Sequence, residues 1–217
     1  MPANAPRKAG RPRSAVLTRE RITAHALELV SHEGYQGLTM QRLAASLGVS
    51  PSALYNHVAS KQDLLQWIQD QVMAGVDATV FDRLPLEQAL AAWAVNYRNV
   101  FAQHVPLIPV IAVLPVGGSP RTVEMYEKVA STLEAAGMPP ERIAPSIVAL
   151  ESFIFGSALD TSAPQDIFDT GTQAGQAPHF SRAVDAQRAS GAPATDAAFE
   201  LGLAAMISGL ANGLKNL

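Results

Sequence analysis

The chain of 217 residues is 48% hydrophobic and 16% charged, with no cysteine and a formal net charge of −3. A chain of this size buries roughly 70% of the surface its unfolded form exposes, so it needs neither disulfide nor metal to fold. The absence of thiols excludes a disulfide framework and thiolate chemistry, and it suits a reducing cytoplasm.

The near-neutral total hides a division. Residues 1–65 hold 8 Lys or Arg against 4 Asp or Glu, a balance of +4, whereas residues 66–217 hold 8 against 15, a balance of −7. That pattern suits a basic module for nucleic acid joined to an acidic body. The opening MPANAPRKAGRPRSA has basic residues with no apolar stretch behind them, and no uninterrupted run of roughly 18 apolar residues occurs anywhere. A cytoplasmic protein with no membrane partner is expected.

Residues 1–17 are rich in Pro, Ala and Arg without hydrophobic period and read as a basic, flexible arm. Within it Gly10-Arg11-Pro12-Arg13 resembles the core of an AT-hook, whose arginines enter the minor groove. A solvated tail that only attracts phosphate is the other reading, and both hold Arg11 and Arg13 near DNA. Thr18 is the predicted cap of a first helix, with Ile22, Ala26, Leu29 and Val30 on one face and Gly34 as its end. His25 and His32 share a similar face of that helix but lack a third ligand, so no metal and no cofactor are expected.

The segment 38–61, LTMQRLAASLGVSPSALYNHVASK, is the most legible part of the chain. Thr39 caps a helix carrying Leu43, Ala44 and Leu47, Gly48 ends it, and Ser50 caps the next, whose first position is Pro51. Two helices joined by a tight Gly turn form a helix-turn-helix, although such pairs also occur in proteins that never meet DNA. In the second helix Leu54 and Val58 face inward, so Ser52 and Asn56, flanked by Ala53, Tyr55 and His57, face outward. Side chains of this kind hydrogen-bond base edges and phosphates. Ser60 caps a third helix, and its first residue, Lys61, is placed to meet a phosphate.

Leu64, Leu65, Ile68 and Val72 carry that helix on as a connector. A further helix after Pro85 bears Leu86, Leu90, Trp93, Ala94 and Tyr97, and Pro106, Pro109 and Pro115 break the chain after His104 into short turns. Ser119 and Pro120 open a helix that Gly137 stops. Residues 141–159 form another, with Ile147, Leu150, Ile154 and Ala158 aligned. Residues 160–194 read as mostly loop with a short helix near Phe180. The last helix, 195–214, carries Phe199, Leu203, Met206, Ile207 and Leu210 and is apolar on more than one face, which calls for burial against a second subunit. The expected fold is all-α, with the arm (1–17), a helix-turn-helix DNA-binding domain (18–65) and a larger helical dimerisation domain (66–217). No carboxylate pair, nucleophile with a base or phosphate loop points to catalysis.

Leu38, Thr39, Leu43, Ala44, Leu47, Gly48, Val49, Ser50, Leu54, Tyr55, His57, Val58, Lys61 and Leu64, in that order and spacing, resemble the signature of the TetR/AcrR family of bacterial transcriptional regulators. Leu54, Tyr55, His57, Val58 and Lys61 are similar to the recognition helix of its tetracycline-repressor branch. The resemblance implies DNA contacts from Thr39, Met40, Gln41, Pro51, Ser52, Ala53, Tyr55, Asn56, His57 and Lys61. It does not carry over the operator sequence, because that branch has Trp where Asn56 stands and Gln where Pro51 stands.

The resemblance also implies a homodimer through helices 141–159 and 195–214, and a ligand pocket in the body. Trp93, Tyr97, His104, Ile108, Ile111, Phe153, Phe155 and Asp160 are its candidate lining, with ordinary core packing the alternative for each apolar one. Metal-bound tetracycline needs a His where Ile111 aligns, besides an acid where Asp160 aligns, so the expected effector is small, mainly apolar and metal-free. The function read from all this is a repressor that binds a palindromic operator in double-stranded DNA and is released by the effector. An architectural DNA-binding protein without effector, or a helical enzyme retaining the head, are the alternatives.

Overall fold

The computed structural model describes residues 16–215, so Arg11 and Arg13 of the arm lie outside the described residues. Ten α-helices and four short 3-10 turns, with no strand, make up the described residues.

The head is built from side-chain caps. Thr18 Oγ1 accepts from the Arg21 amide at 3.2 Å and starts α1 (Arg19–Gly37). Gly34, with φ of 70°, kinks this helix without ending it, so α1 runs a residue triplet past the expected stop. Thr39 starts α2 (Met40–Ser46) and Ser50 starts α3 (Pro51–Tyr55) in the same way. Between them Gly48 adopts φ of 69°, a left-handed conformation that only glycine holds without strain. Ile22, Ala26, Leu38, Leu43, Ala44 and Leu54 are fully buried together, which locks the three helices into one small core.

Helix α4 (Lys61–Met73) is capped by Ser60, which accepts from the Asp63 amide and donates to the Asp63 carboxylate at 2.8 Å. It packs on α1 and also on α7 (Pro120–Ala135). The expected division between residues 65 and 66 therefore falls inside a continuous helix.

In the body, α5 (Leu86–Ala102) is the central element and packs on both α8 (Pro140–Asp160) and α10 (Ala194–Lys215). A ladder of rings runs through it: Phe81, Trp93, Tyr97 and Phe101 with successive centroids 6.1, 5.4 and 5.2 Å apart, and Phe155 of α8 4.8 Å from Phe101. The short α6 (Ile108–Ile111) comes after a proline-initiated turn. Residues 160–194 hold more order than expected, with a 3-10 turn over Gly171–Gln176 and a full helix α9 (Pro178–Ala189). None of α9 is buried. Pro at its first turn and the Ala, Arg and Gln beyond it favour helix locally, a signal that a search for hydrophobic period misses.

Helices α8 and α10 are each long and apolar enough to cross a membrane by length and composition. Each buries one stripe in the body: Ile147, Leu150, Ile154 and Ala158 from α8, and Phe199, Leu203, Ile207 and Ala211 from α10. The chain alone leaves Leu201 of α10 76% exposed and Leu159 of α8 about half exposed.

Two substitutions test this architecture by equilibrium urea unfolding. Trp93→Ala empties the centre of the ring ladder and is expected to cost about 3–5 kcal/mol. Gly48→Ala meets no atom within 4 Å, so its cost of about 1–2 kcal/mol comes from the backbone alone.

Candidate nucleic-acid interface and effector cavity

Pro51, Ser52, Tyr55, Asn56 and His57 all lie exposed on the outer side of the helix-turn-helix, with Gln41 and Thr39 exposed on the preceding helix and Ala53 half-buried. Helix α3 ends at Tyr55, so Asn56 and His57 occupy the turn beyond it rather than the helix face inferred from periodicity. The Leu54 carbonyl holds this turn, accepting from the His57 and Val58 amides at 2.9 and 3.2 Å. Met40 departs from expectation. It is 9% exposed and belongs to the head core, because the first turn of α2 rotates it inward while Gln41 stays outside. The Lys61 ammonium sits 4.4 Å above the Tyr35 ring, a cation–π contact that holds it at the start of α4. Arg42, absent from the expected contacts, is exposed next to Gln41 and pairs with Glu33 at 2.5 Å.

The second site is internal. A cavity of about 200 Å³ lies among α4, α5, α6, α7 and α8, lined by Gln69, Met73, Tyr97, Ile111, Tyr126, Glu151 and Phe155 with neighbouring residues. Glu151 dominates its chemistry. Tyr97 Oη donates to Glu151 Oε1 at 2.8 Å, and Tyr126 Oη lies 2.9 and 2.8 Å from Oε1 and Oε2. Burial pushes the Glu151 carboxyl above its ordinary value, against the opposing pull of the Tyr126 and Tyr97 hydroxyls. Burial, and then the Glu151 charge, hold both tyrosines well above the ordinary phenol range, so both remain protonated donors. Gln69, only 3% exposed, presents a buried Oε1 with no partner.

Of the residues expected to line a pocket, Tyr97, Ile111 and Phe155 reach this cavity. The others do not. Trp93 and Ile108 are buried in the core away from it. Phe153 stacks on Phe199 at 5.4 Å and fits against Gly202, where an added Cβ would come within 2.6 Å of the ring. The reason is helical: Val148, Glu151, Ser152 and Phe155 share the cavity face of α8, and Phe153 points to the other side, toward α10. Asp160 is the exposed last residue of α8. His104 lines a separate hollow with Leu27, Gln71 and Gly75 where head meets body, and its partial burial lowers its pKa. Glu151, Tyr126 and Gln69 were missed. An acid four residues after Ile147 and three before Ile154, on the apolar face of a helix, was the signal available for Glu151.

The two sites share one helix. Lys61 begins α4 beside the exposed reading surface, and Gln69 and Met73 of the same helix line the cavity. Between them Asp70 ties three elements together: Arg19 of α1 pairs with Oδ2 at 3.2 Å, while the Ser119 hydroxyl and the Arg121 amide at the start of α7 donate to Oδ1 at 3.2 and 3.0 Å.

A helix-turn-helix head on a helical body defines the class as a helix-turn-helix transcriptional regulator. The chain belongs to the TetR family: residues 22–68 match the family model described as bacterial regulatory proteins, tetR family, and residues 85–214 match the tetracyclin repressor-like C-terminal domain. This is a family of regulators, not of enzymes. Tetracycline repressor protein class C from Escherichia coli is 30% identical over 205 residues, covering 89% of this chain and 90% of the repressor. An HTH-type transcriptional regulator from Saccharopolyspora erythraea is 28% identical over 171 residues, covering 76% and 70%. Among solved structures, apo ActR from Streptomyces coelicolor superposes with a TM-score of 0.77 at 26% identity, over 93% of this chain and 98% of ActR. The structure of ActR in complex with actinorhodin does so with a TM-score of 0.75, also at 26% identity, over 92% and 97%.

The raised carboxyl makes stability depend on pH. The folded chain holds the Glu151 proton more tightly than the unfolded chain does, so this contribution is full below the ordinary value of 4.5 and is lost as pH rises through the raised one. In urea unfolding across a pH series, the stability of the wild type relative to Glu151→Gln is expected to fall as pH climbs above 4.5. A relative stability that rises over that window would mean that the tyrosine hydrogen bonds outweigh burial.

Proposed function

We propose that this TetR family regulator is a homodimeric repressor that binds a palindromic operator in double-stranded DNA and is released from it by a small effector held in the body. The observation that carries the reading is the continuity of α4, which begins beside the reading surface and lines the cavity with Gln69 and Met73. An effector that fits one arrangement of the cavity better than another shifts the population of α4 positions. In a dimer this changes the separation of the two reading heads from the helical repeat of about 34–36 Å that adjacent major grooves require.

In this reading Ser52, Ala53, Tyr55, Asn56, His57 and Gln41 meet the major groove, and Thr39, Pro51 and Lys61 meet the backbone. Arg11 and Arg13, outside the described residues, contribute positive charge for phosphate attraction. The division of labour is arm 1–17, head 18–65 and body 66–217, with α4 serving both of the latter. The apolar surface left on α8 and α10, Leu201 above all, supports a dimer in which the two helices of each subunit form a four-helix interface. The complex of ActR with actinorhodin supports a small organic effector in this fold. Ile111 at the cavity wall, in place of an imidazole, supports binding without a metal. Such a repressor works on the chromosome, in the cytoplasm, and engages no membrane.

Footprinting of promoter-proximal DNA at two salt concentrations tests the whole reading: a salt-sensitive palindromic footprint is expected, and its absence would overturn it. Lys61→Ala is expected to weaken binding to every sequence and to reduce the salt slope by about one charge. Asn56→Ala is expected to lose discrimination at one base pair, by about 1–3 kcal/mol, whereas equal loss on all sequences would remove its base-reading role. Leu201→Glu is expected to yield monomers in analytical ultracentrifugation.

A further inference from the structure

Glu151 is a buried carboxylate without a counter-ion. It belongs to none of the ion pairs among the described residues, and no Lys, Arg or His lines its cavity. Among the described residues its only partners are the neutral hydroxyls of Tyr97 and Tyr126. A carboxylate removed from water with hydrogen bonds alone is left partly uncompensated, and a cation that pairs with it there gains an attraction little screened by solvent, set against the cost of its own desolvation. The same cavity holds an acceptor with no hydrogen-bond partner among the described residues, the buried Gln69 Oε1. The protein therefore presents acceptors and no complementary charge, in a chamber whose walls include the rings of Tyr97, Tyr126 and Phe155. Aromatic faces add to the attraction for a cation.

The chamber continues outward. An open apolar trough of about 480 Å³ between α7 and α8 shares Val116, Tyr126 and Val148 with the cavity, and its walls carry Ala130, Ile143 and Ile147. The charged side chain on this trough is another acid, Glu127. Tyr126 stands where the two spaces meet, with its hydroxyl on Glu151.

We propose that the effector is an amphipathic amine: its protonated nitrogen donates to Glu151 and Gln69 in the cavity, and its apolar body lies along the trough between α7 and α8. This rests on the reading of the cavity as the effector site. It refines the expectation of a mainly apolar effector by assigning it one cationic group. Val148 is the cavity-side residue through which such a molecule passes, so a large side chain there closes the path.

The test is calorimetric titration of the full-length protein with two matched probes, phenylbutylamine and the neutral phenylbutanol, at neutral pH. The wild type is expected to bind the amine at least about tenfold more tightly than the alcohol, a difference of about 1.4 kcal/mol. Glu151→Gln, or Glu151→Met if the glutamine variant melts early, is expected to abolish that preference, and Val148→Trp to weaken both probes. Equal binding of the two probes, blocked by Val148→Trp, would overturn the amine assignment and leave the cavity as the effector site. Amine binding untouched by either variant would place the amine elsewhere and overturn it too. If neither probe binds, the inference fails, and whether the cavity is an effector site at all is then decided separately by whether Val148→Trp alters effector release in footprinting with a panel of hydrophobic compounds.

Discussion

The constraint on which the rest of the structure depends is that α4 is one unbroken helix shared by head and body. A helix transmits a shift at one end to the other because its backbone hydrogen bonds are satisfied along its length and its side chains are packed on both partners. Leu64 and Ile68 are buried, so neither end moves without repacking a core. Asp70 adds a directional tie, since one carboxylate accepts from α1 and from the start of α7 at once. In the proposed response this tie is where a displacement at the cavity would reach both head and body.

The body carries a polar group where hydrophobic packing alone would put another Leu. A buried acid held only by hydroxyls, as Glu151 is, costs desolvation in its charged form, so its contribution to stability depends on pH. Its tyrosine partners come from α5 and α7, and the acid itself from α8, so the cluster joins three helices at the wall of a cavity that also contains an α4 side chain. That cavity is bounded by α4, α5, α6, α7 and α8, where the helix shared with the head meets the body.

The apolar surface of α8 and α10 belongs to the same logic. The body's own core takes only one stripe of each of these two hydrophobic helices. Phe153 against Phe199 and Gly202 sets how closely the pair can pack. Helix α8 thus turns one face to the cavity and another to α10.

The sequence by itself determined the elements whose signals are local. Thr18, Thr39, Ser50 and Ser60 as caps, Gly48 as the turn, Pro51 and Pro120 as first-turn prolines and the apolar periods of the long helices each act within a few residues, so each could be read in order. It was also enough for the family, because the head's motif is a string of such signals at fixed spacing. Tertiary structure decided what depends on rotation and on partners far along the chain. Whether Met40 or Gln41 faces out is a matter of how α2 is turned by its packing, and periodicity in seven residues is too short to say. Which face of α8 meets the cavity was settled by α5 and α7, and this exchanged Phe153 for Glu151. The partnership of Glu151 with Tyr97, 54 residues away, has no trace in the local pattern, since a hydrogen bond between distant helices exists only once the fold has brought them together.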